Sequence, residues 1–514
     1  MHLIVRLILL CFAGQGGLGA RILGLFPVPT KSHLSVTSPL MHALAKKGHD
    51  VTMFVPFPTG FNATNYREII YESPPLGSDL TIMDYFNVNF VRHQFFYYDA
   101  GISVTEMTLT SPEAQSLIGS KEKYDVVVME QFASEALSAY VNKLECPVVL
   151  VSTFRTTSTI NGIFGNSAPW SYVPAEFISL DDRMTLFERL QNALALIFIE
   201  VTRKYYYMPR QQALAAKYLG DANFEIPDLE ELERRADLIL INTHPAFSSP
   251  RPYMATMKDV AGMHIKPAKP LSSELHRYME SSENGVILFC LGSIFKSIEM
   301  PEHLIGALKT AFERVPYDVL WKWENNTMTD KPNNVRIEKW LPQNDILAHP
   351  KLKVFVTHGG ISSLLETVYH KVPIVSIPIF GDQRQNIKLA RTKGFVEVLN
   401  FSTMTEDDIY EAIVKVANDP KYKRNVEKVS AYWRGEMNHP LDVAVHSVEY
   451  VIRNNGTKHL KPAVMEQTFV QYFLLDLAFV VSTLLVLAFL ALRQMLKLLI
   501  RRKSCCEDEL KKIN

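Results

Sequence analysis

Short, nearly continuous runs of apolar and β-branched residues recur along the chain, and they predict a series of buried strands. In the first half these are residues 21–26, 51–56, 124–129, 148–151 and 237–242. In the second half they are 286–291, 319–323, 335–339, 354–357 and 374–378. Runs of this kind, without the polar-apolar alternation of half-exposed strands, fit parallel sheets covered on both faces. Amphipathic, helix-compatible stretches lie between them, such as the one through residues 40–47 that ends at Gly48 and another at 184–192. Strand alternating with helix predicts an α/β, doubly wound fold whose ligands sit at the carboxyl edges of the strands. The proline-rich stretch around 262–270 interrupts the pattern. The expected organisation is a first domain over 21–265, a linker over 266–283 and a second domain over 284–460.

The ends of the chain read differently. Residues 1–20 are apolar and poor in charge, ending Leu18-Gly19-Ala20, which predicts a secretory signal peptide. Residues 473–492 form an apolar run with Asp476 as the only charge, close to the roughly 20 residues that cross a bilayer. Arg493, Lys497, Arg501, Arg502 and Lys503 follow, so the tail over 493–514 is expected in the cytosol and the body in the lumen. The terminus, Lys511-Lys512-Ile513-Asn514, resembles a dilysine signal for return to the endoplasmic reticulum. Four Asn-x-Ser/Thr sequons, at Asn62, Asn325, Asn400 and Asn455, are then candidate glycosylation sites. With 54 basic and 54 acidic residues, nothing favours nucleic acid as a partner. Cys11 falls in the leader and Cys505 and Cys506 in the tail. Cys146 and Cys290 remain, too few for a disulfide framework or a cysteine-based zinc site, and are expected as buried thiols.

Candidate chemistry concentrates between residues 340 and 386. A buried strand at 354–357 runs into His358, Gly359 and Gly360, with Ser362 and Ser363 placed to cap a helix reaching about residue 370. Such a helix start holds anions, because its first N–H groups are unpaired and its dipole is positive there. Glu366 lies on the same helix face as the serines and suits a pair of ribose hydroxyls. An ordinary capped βα turn would also carry His-Gly-Gly, but here Trp340 and Gln343 precede the strand and Asp382 and Gln383 follow the next one. Gly292 and Ser293 end another strand at the same edge.

Taken together, these residues resemble the UDP-glycosyltransferase superfamily, in its animal, membrane-bound form, and the resemblance extends over most of residues 21–492. It implies a GT-B architecture, two Rossmann-like domains facing a cleft, followed by one transmembrane helix. It also implies that Trp340 stacks on uracil and Gln343 reads the base edge. His358 and the nearby amides would hold the diphosphate, Glu366 the ribose, and Asp382 and Gln383 the sugar. In the first half, Ser32-His33 after the first strand resembles the family's general base, and Glu130 stands where the familiar animal enzymes carry aspartate. Ser363 stands where many have glycine.

The implied activity is inverting transfer from a UDP-sugar, glucose favoured and glucuronate as the alternative, to a hydroxyl of a small lipophilic acceptor. No metal or other cofactor is expected, since no Asp-x-Asp motif occurs in the donor half. A homo-oligomer is compatible with the sequence. Aromatic residues crowd 84–100 and 154–210, and some of them should line an acceptor pocket. Two rival readings are a sugar-nucleotide or lipophile binder of the same fold without catalysis, and a dinucleotide oxidoreductase. The latter lacks any Gly-x-Gly-x-x-Gly after a strand.

Overall fold

A computed structural model describes residues 19–76, 81–86, 88–132, 134–220 and 225–513, with side chains given as far as Arg501. The expected signal peptide therefore lies almost entirely outside the described residues, as do the side chains of Cys505, Cys506 and the terminal lysines. The chain divides into two compact units, residues 1–460 and 461–514.

The first unit contains two wholly parallel sheets. The seven-stranded sheet has the order β3-β2-β1-β4-β5-β6-β7. Its strands are β1 (Arg21–Leu25), β2 (Asp50–Val55), β3 (Tyr66–Ile70), β4 (Val126–Glu130), β5 (Val148–Ser152), β6 (Leu238–Ile241) and β7 (Met257–Asp259). The six-stranded sheet has the order β10-β9-β8-β11-β12-β13. It comprises β8 (Val286–Cys290), β9 (Asp318–Lys322), β10 (Val335–Glu338), β11 (Leu352–Thr357), β12 (Ile374–Ser376) and β13 (Val396–Val398). In each, the order reverses beside the first strand, β1 or β8, which creates the switch point where such folds bind ligands. β3, β7 and β13 were not expected. They are edge strands with mixed or short patterns, specified by their neighbours more than by their own residues.

Helices of the first unit include α1 (Lys31–Lys46), α2 (Phe90–Thr110), α3 (Leu186–Thr202), α4 (Ser273–Ser281), α5 (Gln343–Leu347), α6 (Ile361–His370), α7 (Gln383–Thr392) and α8 (Pro440–Arg453), and the second unit contains α9 (Leu475–Ile513). α1 starts earlier than expected. The expected stretch covers residues 40–47, whereas Thr30 caps the helix by accepting from the His33 N–H, which places Ser32 and His33 in its first turn.

α4 lies inside the stretch expected as a linker. Ser272 caps it, and Leu275 and Met279 enter the core of the second sheet. The expected end of the second domain also needs correction. Ala444, Val445, Val448 and Val451 of α8 pack with Leu40, Met41 and Leu44 of α1 and with β6, so the chain returns to the first sheet. Lys47 Nζ to Glu449 Oε1 at 3.2 Å and the Thr457 N–H donating to Asp237 Oδ1 at 2.8 Å fasten that return.

In the second unit, Leu475–Arg501 is long and apolar enough to cross a membrane, by length and composition. The helix begins at Leu475 instead of the expected Phe473, because Leu474 takes the left-handed conformation (φ 53°).

Candidate active site

The two sheets face a cleft of about 450 Å³ lined from both sides. On the first-sheet wall, α1 carries His33 to the end of β1. Glu130 is the last residue of β4, not the first beyond it, and is 1% exposed. His33 Nδ1 lies 2.6 Å from Glu130 Oε1. A carboxylate only accepts, so this contact assigns the proton to Nδ1 and leaves the Nε2 lone pair free. The Thr153 hydroxyl, just beyond β5, donates to the same Glu130 oxygen at 3.0 Å. Phe132 and Phe154 stand edge-on to the imidazole at 4.9 and 5.0 Å, limiting its rotation.

On the opposite wall, β11 delivers His358 and the turn that follows it. Gly359 (φ 85°) has no room for a side chain, since a Cβ would sit 2.4 Å from Ile387 Cγ1. It forms the turn and does not line the cleft. Gly292 (φ 86°) and Gly360 box in the His358 ring; a Cβ on either would come within 2.7 Å of it. Burial, with the Lys322 cation nearby, lowers the His358 pKa to about 4, so the imidazole is neutral at pH 7 and interacts as a hydrogen-bonding group.

The helix expected to be capped by Ser362 or Ser363 is capped by neither. Gly360 is its N-cap, with no side-chain cap bond, which places both serines in the first turn. Ser363 Oγ instead accepts from Gln343 Nε2 at 3.1 Å. The same amide donates to Glu366 Oε2 at 2.6 Å, joining α5 to α6. Desolvation pushes the Glu366 carboxyl up to about 7. Trp340 is 62% exposed at the cleft edge, with Lys31 Nζ 5.6 Å from its ring centroid, and offers a broad face for stacking.

Further along, Gln383 Oε1 accepts from the Ile379 and Phe380 N–H groups at 2.8 and 3.0 Å, which shapes the loop before α7. Asp382 Oδ2 accepts from Asn386 Nδ2 at 2.6 Å. Burial raises the Asp382 pKa, opposed by the Asn386 hydrogen bond and then by the Arg155 charge. The cleft thus gathers His33, Gly292, Ser293, Trp340, Gln343, His358, Gly360, Ser362, Ser363, Glu366, Asp382 and Gln383. Glu130 stands behind His33 and acts on the cleft only through it.

Residues 31–509 match the family described as UDP-glucoronosyl and UDP-glucosyl transferase. The chain belongs to this UDP-glycosyltransferase family. It is 32% identical over 480 residues to the UDP-glycosyltransferase UGT5 of Dactylopius coccus, covering 90% of this chain and 89% of that one. It is 33% identical over 470 residues to the UDP-glucuronosyltransferase 2B33 of Macaca mulatta, covering 87% of each. Among solved structures, the glycotransferase of kitacinnamycin (TM-score 0.57, 16% identity, 85% of this chain and 99% of that one) and the spinosyn forosaminyltransferase SpnP (0.57, 16%, 85% and 100%) share its fold. That fold is GT-B. The chain is therefore a glycosyltransferase enzyme that moves a sugar from a UDP-sugar to an acceptor.

Several cleft residues of this UDP-glycosyltransferase are not evident from sequence patterns. Lys322, buried at the end of β9, lines the cleft and pairs with Glu324 Oε1 at 2.7 Å. A lysine inside an apolar strand was the available signal, because lysine is rarely buried without a partner. His93 of α2 lies between Phe177 and Phe380 (4.5 and 4.3 Å), and neither ring nitrogen has a hydrogen-bond partner among the described residues. Its periodicity in α2 looks like that of any core position.

Of the aromatic residues noted in the sequence, Phe96, Tyr97 and Phe177 line the cleft, while Tyr98 and Tyr207 stack in the core. Tyr85, Phe132, Phe154, Phe295 and Phe380 complete the apolar end. Asn62, Asn325, Asn400 and Asn455 are all exposed. Cys146 and Cys290 are free thiols; Cys290 is buried and Cys146 only half-buried.

Away from the cleft, His276, Glu280 and His349 come together. The Lys351 N–H donates to His349 Nδ1, so the ring proton sits on Nε2, 3.2 Å from Glu280 Oε1. This contact is a hydrogen-bonded pair, not a set of free metal ligands.

Proposed function

We propose that this enzyme transfers the sugar with inversion to a hydroxyl of a small lipophilic acceptor. The observation that carries the reading is the His33–Glu130 pair, which aims an unprotonated Nε2 into a cleft whose other wall holds Asp382, Gln383 and the anion-binding turn. His33 Nε2 accepts the proton of the acceptor hydroxyl as its oxygen attacks the anomeric carbon, and Glu130 stabilises the imidazolium that forms. The UDP leaving group departs toward Ser293, His358 and the N–H groups at the start of α6, with Trp340 on the base and Glu366 on the ribose. Attack from the face opposite the leaving group converts an α-linked donor into a β-glycoside.

The apolar end, with Phe96, Tyr97, Phe132, Phe177 and Phe380, favours a lipophilic, ring-containing acceptor. Glucose is the favoured donor sugar, with glucuronate as the alternative. The N–H groups and positive dipole end at the start of α6 supply the stabilisation that a divalent cation would otherwise bring, so turnover requires no metal. The body is luminal in the endoplasmic reticulum and the tail cytosolic. The intact pair of His33 and Glu130 counts against the rival reading of a non-catalytic binder.

The test is to incubate the full-length enzyme with UDP-glucose or UDP-glucuronate and a panel of phenols and lipophilic alcohols, with and without EDTA. A β-configured product formed equally well in EDTA is expected. An α-configured product overturns inversion, and turnover lost in EDTA and restored by manganese overturns metal independence.

A further inference from the structure

Thr153, Phe154 and Arg155 follow β5 consecutively, and each meets a different part of the active site. Thr153 donates to Glu130, and Phe154 stands against the His33 ring. Arg155 crosses to the second sheet, where its Nη2 donates to Asn386 Oδ1 on α7. Asn386 in turn donates from Nδ2 to Asp382 Oδ2 at 2.6 Å and to the Gly359 carbonyl at 3.2 Å. One three-residue segment therefore touches the proton-accepting pair, and through one asparagine it also reaches the sugar-side carboxylate and the diphosphate turn. A second bond between the two halves, Gln385 Nε2 to the Ala175 carbonyl at 3.1 Å, runs parallel to it.

The guanidinium is an expensive group to place here. Arg155 is 7% exposed, and its Nε and Nη1 have no partner among the described residues. Burial lowers its pKa to about 10, which still leaves it a cation at pH 7. A buried cation without a full set of acceptors is destabilising by itself. Among the described residues it forms no ion pair with Asp382, and its one hydrogen bond goes to Asn386, which itself bonds Asp382.

We propose that Arg155 is a positioning residue, holding Asn386 so that the Asp382 carboxylate is set for the donor sugar only when the first domain is closed over it. This rests on the reading that Asp382 grips the sugar. Donor orientation and the placement of His33 are thereby coupled through a single loop. Trp340, Glu366 and the diphosphate turn lie in the second domain, so binding of UDP alone does not call on Arg155.

The experiment uses the full-length enzyme and Arg155→Met, which keeps volume and removes the donors, with Arg155→Lys, Asn386→Ala, the Arg155→Met/Asn386→Ala pair and Asp382→Ala. Calorimetric UDP affinity, kcat and KM for the UDP-sugar, and Tm are measured for each. Arg155→Met should bind UDP within twofold of the parent yet lose at least tenfold in kcat/KM for the UDP-sugar. Arg155→Lys should recover part of that loss, and the pair should be little worse than the weaker single variant. The proposal is overturned by parental turnover in Arg155→Met beside an impaired Asp382→Ala, by losses that multiply in the pair, or by equal losses in UDP affinity and UDP-sugar turnover. If Arg155→Met does not fold, Arg155→Lys carries the same comparison, since Asn386→Ala also removes the bond to the Gly359 carbonyl. Parental turnover in Asp382→Ala overturns instead the sugar-gripping role on which the proposal rests.

Discussion

His33 Nδ1 and Glu130 Oε1 lie 2.6 Å apart although 97 residues separate them in the chain. The glutamate bridges from the last position of β4 to the first turn of α1, and Thr153 secures the shared oxygen. If this pair is the base, His33→Ala should lose about 10²–10⁴ in kcat while keeping UDP affinity. Glu130→Gln should lose a large part of the same factor, and the double variant should be little worse than His33→Ala. Glu130→Asp withdraws the carboxylate by about one bond, ~1.5 Å, and should be intermediate. Steady-state kinetics on the four proteins decides this, and multiplying losses would show the residues to be independent.

Glu366 should give donor binding a pH dependence. Its carboxyl is raised to about 7 by desolvation, so below that pH it is mostly neutral and above it a carboxylate able to accept from ribose hydroxyls. UDP affinity should rise roughly tenfold between pH 6 and pH 8, following the ionised fraction. Glu366→Gln should flatten that rise. Calorimetry at several pH values checks it, and parallel slopes in the two proteins would assign the dependence to another group.

Two glycines should respond oppositely to alanine. At Gly292 a methyl group meets the His358 ring at 2.7 Å with φ at 86°, so Gly292→Ala should lower both Tm and UDP affinity. At Gly306, in the helix Glu302–Arg314, nothing lies within 4 Å of an added Cβ. Gly306→Ala should stabilise by about 0.4–1 kcal/mol through the unfolded chain. Thermal melts with and without UDP separate the two effects.

Topology is open to a direct check. With a luminal body, protease added to sealed microsomes should remove only the segment after about Arg501. Digestion of the two-sheet body without detergent would reverse the proposed orientation.

Contiguous chemistry was legible in the sequence. The turn at His358, with Trp340, Gln343, Glu366, Asp382 and Gln383 around it, spans fewer than fifty positions, and its strand, glycine and helix signals are local. The ten expected strands all appear, since buried parallel strands announce themselves by continuous apolar runs. The apolar run near the carboxyl end is likewise local.

What the sequence could not decide depends on which distant segments meet. The reach of Glu130 to His33, the support from Thr153, the crossing of Arg155 to Asn386 and the return of α8 to the first sheet each join residues far apart in the chain. Their side chains carry no periodic mark: the pairing of β1, β4 and β5 within the first sheet brings His33, Glu130 and Thr153 together, and only the approach of the two sheets brings Arg155 to Asn386. Local pattern determined the elements and the donor-side signature of this UDP-glycosyltransferase. Long-range packing decided how His33 is held and what spans the cleft, because hydrogen bonds between remote residues exist only once the intervening chain has been ordered.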